Sequence, residues 1–512
     1  METPRQKADS FLRVAADFKL GNLPTEQRHP KTHALADLSR NDPAAALRIL
    51  KEIDVSVISG VMAREAELAR LEDAIRDTLK NGGRIFFYGC GATGRLSMSI
   101  EYAWRYMHKG RPADADRVLG FMSGGDLALV HSIENFEDHP AFGARQVREI
   151  GFREGDLLVS TTEGGETPSV IGATEEAAKI SRRKPWFLYC NPDELLRAQV
   201  ERSRRVLDNP GIEKICLFVG PMSLSGSTRL QASTALMLGA GSALLRAAGT
   251  GIASPRLVDL LSFVREMDFS FLVPFLEEES RIYAEGGYVL YETDEHGITI
   301  LTDTTERAPT FSLLGFENQS NPARVPSLSY LRLPLANTPL EAWKAILLRD
   351  PITLEWDELK TVAGRERLLG FDFSAAALAQ REKLVAPQRL HRFLIERNGR
   401  ELRFELENHR HRVNIHGLHP LFEHLFLKIA LNMHSTLLMG RFGRFESNVM
   451  TWVKPSNNKL IDRSIRYVEF LLGPSAGFSY EQICYQLFEE AEKMQPSESV
   501  VLRTVAALKA LP

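Results

Sequence analysis

Long apolar runs are missing from this sequence of 512 residues. No segment approaches the roughly 18 uncharged apolar residues that a membrane helix needs. Residues 1–20 mix Lys, Arg and Asp with apolar residues, so the continuous apolar stretch of a secretory signal is also missing. We therefore predict a cytoplasmic protein that does not have a membrane as its partner.

Charge of one sign is not in excess, since 63 Lys and Arg residues stand against 66 Asp and Glu residues. The sequence contains no polybasic run and no basic stripe interleaved with aromatic residues, which are typical of surfaces that bind nucleic acids. We therefore expect no nucleic-acid partner.

Cysteine is scarce, and its four positions lack the spacing of a metal site: Cys90, Cys190, Cys216 and Cys484. We interpret each as a small apolar residue within the fold rather than as a ligand or half of a disulfide. Histidines cluster further on, but no carboxylate or cysteine spacing completes a ligand set with them: His409, His411, His416, His419 and His424. We therefore predict neither a metal site nor a cofactor.

The composition is that of an ordinary globular protein, with 44% hydrophobic and 25% charged residues. A chain of this length is expected to form two or three domains. From residue 85 to residue 219, short apolar runs typical of buried strands alternate with patterns typical of helices. This alternation predicts a parallel sheet covered by helices.

The same order of elements occurs twice along the chain. A helix, a Gly-Gly break, a strand, a loop and a helix start follow one another over residues 68–95 and again over residues 272–300. We interpret this repetition as an internal duplication at the scale of a domain. The predicted division is an N-terminal segment at 1–45, a first domain at 46–250, a second domain at 265–430 and a C-terminal helical cap at 431–512.

The first candidate ligand loop reads Gly-Cys-Gly-Ala-Thr-Gly-Arg over residues 89–95, between a predicted strand and a predicted helix. Glycines let the backbone approach an anion, and the N–H groups at a helix start favour phosphate. A tight turn that needs glycine only for steric reasons explains the same residues equally well. The candidate ligand-binding residues of this loop are Gly91, Ala92, Thr93 and Gly94.

The second candidate loop reads Ser-Thr-Thr-Glu-Gly-Gly-Glu-Thr-Pro over residues 160–168. Ligands of doubly wound sheets lie at the carboxyl ends of the strands, so both loops point to a single crevice. Glu163 and Glu166 would repel a phosphate dianion that they faced, although Glu166 at a helix start is also explained by the helix dipole. The candidate ligand-binding residues here are Thr162, Gly164 and Thr167.

Several stretches together resemble one superfamily: 25–30, 91–95, 133–138, 224–230, 431–436 and 448–463. They are similar to the N-acetylmuramic acid 6-phosphate etherases and to the glucokinase regulatory protein, which contain SIS (sugar isomerase) domains. The long segment between Arg229 and Asn432 resembles the second SIS domain of the regulatory protein. The resemblance implies an α/β protein with two tandem doubly wound parallel-sheet SIS domains, N-terminal helices and a C-terminal helical lid.

The resemblance also implies roles for individual residues. Glu134 and Glu306 occupy the positions of the catalytic base and acid, and three residues approach the ligand from the lid: Asn457, Lys459 and Arg463. Etherase chemistry removes D-lactate from a sugar phosphate, which needs a base for the proton next to the open-chain carbonyl and an acid for the leaving group. Each assignment has an alternative. Glu134 is also explained as an acid at a helix start and Glu306 as a surface acid. Lys459 and Arg463 are also explained as solvated basic residues.

The sequence departs from the family in its loops. The first loop has Ala92 and Thr93 where the etherases have Thr and Ser, and the second has Gly164 and Glu166 at their Ser and Arg positions. The corresponding loop of the second domain, residues 292–297, carries three acids, so we predict no phosphate site there. The expected ligand is a small carbohydrate derivative.

Two functions follow from the resemblance. One is a lyase that eliminates D-lactate, and the other is a non-catalytic sugar-phosphate sensor that controls a partner kinase. Both require one crevice in which Glu306 of the second domain faces the glycine loops of the first.

Overall fold

The computed structural model describes residues 2–133, 136–248, 254–495 and 498–511. Helices precede the first sheet: α1 Pro4–Val14, α2 Leu35–Asn41, α3 Pro43–Met62 and α4 Glu65–Lys80. The side chain of Asp42 caps α3 by accepting the Ala45 N–H at 2.9 Å. Apolar residues at helical spacing, such as Leu68, Leu71 and Ile75 of α4, form the buried face of these helices.

The first sheet and its helices occupy the chain up to residue 247. Their bounds are β1 Ile85–Gly89, α5 Ala92–Met107, α6 Pro112–Ala115, β2 Val118–Met122, α7 Pro140–Glu149, β3 Leu157–Thr161, α8 Pro168–Ile180, β4 Trp186–Tyr189, α9 Asp193–Gln199, α10 Glu201–Leu207, β5 Glu213–Cys216 and α11 Gln231–Ala247.

All neighbouring strands of the first sheet are parallel, in the order β2-β1-β3-β4-β5. Successive residues of β1 contribute to different cores: Ile85 and Phe87 pack into one, Phe86 and Tyr88 into the other. Because a strand presents alternate side chains to opposite faces, helices cover both faces of this sheet. This is the doubly wound arrangement that the sequence predicts.

The second half repeats the pattern with differences near its end. Its elements are α12 Leu257–Glu266, α13 Leu272–Ala284, β6 Tyr288–Glu292, α14 Gly297–Phe311, β7 Ser329–Arg332, α15 Pro339–Leu347, α16 Lys360–Ala363, α17 Arg365–Leu369, α18 Ala377–Val385, β8 Leu390–Asn398, β9 Glu401–Leu406, β10 His409–Asn414 and α19 Pro420–Arg441.

The second sheet has the order β7-β6-β8-β9-β10, which matches the first sheet position by position. Its strands β7, β6 and β8 are parallel, whereas β9 is antiparallel to both β8 and β10. The shared strand order supports the internal duplication. The predicted fold class is confirmed, with an antiparallel ribbon replacing the last parallel strands of the second sheet.

Helix α19 joins the two halves. It is buried from Leu421 to Gly440 and packs against α2, α11, α13 and α14. The predicted boundary between residues 430 and 431 lies inside this helix. The chain ends in α20 Asn458–Leu472, α21 Tyr480–Lys493 and α22 Val500–Lys509. In the described ranges no helix combines the length and the hydropathy that crossing a bilayer requires.

The N-terminal segment fastens α20 to the first half. Glu26 is buried and accepts hydrogen bonds from the guanidinium groups of Arg463 at 2.6 Å and Arg466 at 2.8 Å, both on α20. The neighbouring Arg28 donates to Asn448 Oδ1 at 2.8 Å. The motif at residues 25–30 therefore has a structural role, because it positions α20 over the carboxyl ends of the first sheet.

Candidate functional site

A cavity of about 210 Å³ opens beyond the carboxyl ends of β1 and β3, between the first sheet, α14 and α20. Both candidate loops and the second half of the chain contribute to its wall. The predicted site residues that line it are Gly91, Ala92, Thr167, Glu306, Asn457, Lys459 and Arg463.

The first loop turns tightly into α5. Gly91 has a φ of +55°, a conformation that favours glycine, and α5 begins at the next residue. Thr93 is buried, and its hydroxyl group accepts from the Cys90 N–H at 3.0 Å and donates to the Cys90 carbonyl at 2.9 Å. A Cβ at Gly94 would lie 2.4 Å from the Met122 Cβ. Thr93 and Gly94 thus support the turn, while Gly91 and Ala92 form the cavity wall.

The second loop is held by internal contacts. The Thr162 and Thr167 hydroxyl oxygens lie 2.9 Å apart, and the Gly164 carbonyl accepts from Asn191 Nδ2 at 2.9 Å. Gly165 has a φ of +76°, which turns the chain towards α8. Thr162 and Gly164 lie behind the wall of the cavity, and Thr167 reaches it.

Glu166 is engaged by two cations. Its carboxylate accepts from Lys459 Nζ at 2.7 Å and from Arg202 Nη2 at 2.8 Å. Burial alone would raise the pKa of Glu166, but Lys459 and Arg202 outweigh it and lower the pKa to about 2. The positive charge that Lys459 brings from α20 is therefore already met by a carboxylate of the protein.

Glu163 lies in a different environment. It lines the cavity, is only 8% exposed, and its Oε1 is buried without a hydrogen-bond partner in the part of the chain that the structure describes. Burial raises the pKa of Glu163 to about 7, and the nearby carboxylates of Glu306 and Glu137 act in the same direction. Sequence reasoning treated Glu163 only as a source of repulsion.

Glu306 reaches the cavity from α14 in the second half. Its carboxylate forms an ion pair with the guanidinium group of Arg95, the last residue of the first loop sequence, which lies in the first turn of α5. The two halves therefore meet at this pair, and Glu306 shares the cavity wall with Gly91 and Ala92. The other predicted catalytic residue, Glu134, lies outside the described residues.

The lid residues have partners of their own. Asn457 Oδ1 accepts the Leu460 N–H at 3.0 Å, so this side chain caps α20. Arg463 pairs with Glu26, as described above. A further basic residue of the wall, Arg229, pairs with the buried Asp303 at 2.7 Å.

The balance of charge in the wall follows from these pairs. The four basic side chains of the wall, at positions 95, 229, 459 and 463, each form a salt bridge with a carboxylate of the protein. Glu137 and Glu163 form no salt bridge with any described residue. An anionic group of a ligand must therefore share these cations with carboxylates that already hold them.

The histidine cluster takes part in packing and hydrogen bonding. The ring of His411 stacks on Phe271 with centroids 4.3 Å apart, and His424 Nδ1 lies 2.7 Å from the Thr299 hydroxyl oxygen. Across the described residues, no three His, Cys, Asp or Glu side chains are grouped as metal ligands would be.

Comparison with known proteins gives matches to both families that the sequence resembles. Residues 67–177 match the family described as the glucokinase regulatory protein N-terminal SIS domain. The N-acetylmuramic acid 6-phosphate etherase of Synechocystis sp. is 33% identical over 216 residues, which are 42% of this chain and 64% of that protein. The corresponding etherase of Prochlorococcus marinus is 35% identical over 217 residues, 42% of this chain and 62% of that protein.

These matches confirm the resemblance and also mark its extent. The chain spans only 64% and 65% of the length of two such relatives, from Synechocystis sp. and Bacillus licheniformis. Among solved structures, the tagatose-6-phosphate ketose/aldose isomerase from Escherichia coli is 12% identical, with a TM-score of 0.38 and coverage of 79% of this chain and 97% of that chain.

Proposed function

We propose that this chain binds a sugar phosphate or amino-sugar phosphate in the cavity between its halves and cleaves an ether of that sugar, releasing D-lactate. The observation that carries the proposal is the position of Glu306, which comes from the second half and lies in the same wall as the glycine loop of the first. The relatives named as N-acetylmuramic acid 6-phosphate etherases supply the reaction class.

The proposed reaction requires a base and an acid. A carboxylate can take the proton next to the carbonyl of the open-chain sugar, and a protonated group can donate to the departing oxygen. The resemblance assigns these roles to Glu134 and Glu306. Arg95 and Lys459 would hold the anionic parts of the ligand, with Gly91 and Ala92 offering backbone N–H groups at the start of α5.

Two measurements on the purified protein test the proposal. Incubation with N-acetylmuramic acid 6-phosphate should release D-lactate, and the same compound should raise the melting temperature, because a ligand that binds only the folded state stabilises it. Glu306→Gln should lower the rate of lactate release by about 100-fold or more. A protein that neither releases lactate nor is stabilised by this compound would contradict the proposal.

A second candidate function is a sugar-phosphate sensor that controls a partner kinase. It is favoured by the match of residues 67–177 to a domain of the glucokinase regulatory protein. It predicts saturable stabilisation by fructose 6-phosphate or by an amino-sugar phosphate, with no lactate released. Turnover of N-acetylmuramic acid 6-phosphate would exclude a function as a non-catalytic sensor alone.

A further inference from the structure

We propose that Glu163 is the general acid of this cavity and gives its proton to the lactate oxygen when the ether bond breaks. The inference rests on the proposed lyase function, and it moves the acid role from Glu306 to a residue that the family resemblance does not assign.

The backbone fixes the Glu163 carboxyl group at the cavity. The Thr162 N–H donates to the Leu188 carbonyl at 3.0 Å, and the Cys190 N–H donates to the Glu163 carbonyl at 3.0 Å. These bonds tie the residue to the end of β4 on both sides of its Cα. Its Oε1 nevertheless lacks a partner among the described residues, and a buried polar atom of this kind requires an explanation. A hydrogen bond to a ligand atom supplies one.

Glu306 is poorly suited to donate a proton. The Arg95 guanidinium group engages its carboxylate, so this carboxylate is already held by a group of the protein. Glu163 forms no salt bridge with a described residue, and its burial raises its pKa to about 7. Two carboxyl groups in different surroundings can divide the acid and base roles.

Charged and titratable groups face Glu163 from several elements. Lys459 on α20 favours its ionised form, whereas Glu306 on α14 and Glu137 favour its protonated form. Other groups close enough to interact electrostatically are Cys90, Cys190 and Lys428. Burial exceeds each of these influences, so the proton of Glu163 is retained near neutral pH.

The other carboxyl groups of the region are weaker candidates. Glu166 is held ionised by Lys459 and Arg202, which lower its pKa to about 2. The pKa of Glu137 is also raised by burial, but this residue is only half-buried. Glu163 combines a buried, unpaired oxygen with a place in the cavity wall.

The proposed reaction first eliminates lactate and then adds water. An ionised carboxylate takes the proton from the carbon next to the carbonyl, and this electron pair forms a double bond to the next carbon. The bond from that carbon to the lactate oxygen breaks, and the oxygen takes the Glu163 proton. Water then adds to the double bond: its hydroxide joins the carbon that lost lactate, its proton restores Glu163, and the first carboxylate returns its proton to the neighbouring carbon.

The test compares D-lactate release from N-acetylmuramic acid 6-phosphate by the wild type, Glu163→Gln and Glu163→Asp over a range of pH. We expect Glu163→Gln to lower kcat by about 100-fold or more with little change in KM, and Glu163→Asp to restore part of it. The wild-type kcat should fall as pH rises through about 7, and this fall should be absent from the residual activity of Glu163→Gln. The matched control is Glu175→Gln, which removes an exposed pair with Arg205 and should keep the wild-type rate.

The outcomes separate the inference from the function on which it rests. A wild type that releases lactate, together with a Glu163→Gln variant of equal kcat and unchanged pH profile, overturns the inference alone. A wild type that releases no lactate overturns the lyase function and the acid role together. An infrared carboxyl band that titrates near pH 7 in the wild type and is missing from a folded Glu163→Gln variant supports the assignment of the proton directly.

Discussion

At the residue scale, Glu163 and Glu166 show how position decides the chemistry of identical side chains. They are three residues apart in one loop and both are buried, yet the pKa of Glu163 is raised to about 7 and that of Glu166 is lowered to about 2. The difference follows from Lys459 and Arg202, which form salt bridges with Glu166 and none with Glu163. One carboxyl group is therefore a proton donor near neutral pH and the other a permanent anion.

The protonation of Glu163 predicts how the stability of the protein depends on pH. Its pKa is about 7 in the folded state against 4.5 ordinarily, so the folded protein keeps a proton that the unfolded chain releases between these values. The free energy of unfolding should therefore fall as pH rises through this window, by on the order of 3 kcal/mol from this group. Glu163→Gln should lose this dependence in urea unfolding, and an unchanged dependence would contradict the assignment.

The pairing of Glu166 predicts a gain of function. Glu166→Gln leaves Lys459 and Arg202 without their shared carboxylate, so Lys459, which lines the cavity, becomes available to an anionic ligand. We expect the variant to bind N-acetylmuramic acid 6-phosphate about 10-fold more tightly, equivalent to about 1.4 kcal/mol, in calorimetry. Glu175→Gln, which alters only an exposed pair, serves as the control. Weaker binding by Glu166→Gln would show that this carboxylate itself holds the ligand.

Sequence patterns located the loops but not the partners of their residues. Gly91 and Glu306 were predicted to share a crevice, and the structure places both in one wall. The unpaired oxygen of Glu163 could not be predicted, because its burial and its lack of a salt bridge with any described residue depend on chain segments far apart in sequence. The ion pair of Lys459 with Glu166 escaped prediction for the same reason.

At the element scale, the second sheet shows what periodicity leaves undetermined. Its later strands form at Ser329–Arg332, Leu390–Asn398 and Glu401–Leu406. The family resemblance implies a parallel sheet here, but β9 is antiparallel to β8 and β10. A strand pattern does not state whether its partner is parallel. A signal for the antiparallel ribbon is Gly399, which is the first of the two turn residues between β8 and β9 and has a φ of +62°, as tight hairpin turns require.

The attachment of α20 gives a prediction at the same scale. Glu26→Gln would leave the buried guanidinium group of Arg463 without its carboxylate, whereas the half-buried Arg466 would keep its salt bridge with Asp462. Because breaking a buried pair from one side is costly, we expect a loss of about 3–5 kcal/mol in the free energy of unfolding and earlier proteolytic cleavage next to α20. Glu469→Gln, at an exposed position of α20, should change neither measurement. Equal stability of Glu26→Gln and wild type would contradict this role.

At the scale of the whole molecule, buried charges join the halves. Arg349 of the second half bonds Glu101 at 2.9 Å and Asp126 at 2.6 Å, both in the first half. We expect Arg349→Met to cost about 3–5 kcal/mol, since it leaves the buried Asp126 carboxylate without a cation and leaves Glu101 with only Arg105. Unfolding followed by probes in both halves should shift together. Arg400→Met, at an exposed position, is the control, and a shift confined to one half would contradict the coupling.

The central claim is that groups from both halves act on one ligand in one cavity. It is tested most directly by kcat/KM for D-lactate release in Glu163→Gln, Glu306→Gln and the double variant. Residues that act as a unit are strongly non-additive, so the account predicts a double variant hardly slower than the slower single variant. Losses that multiply in the double variant would show that the two carboxyl groups act independently and would contradict the account.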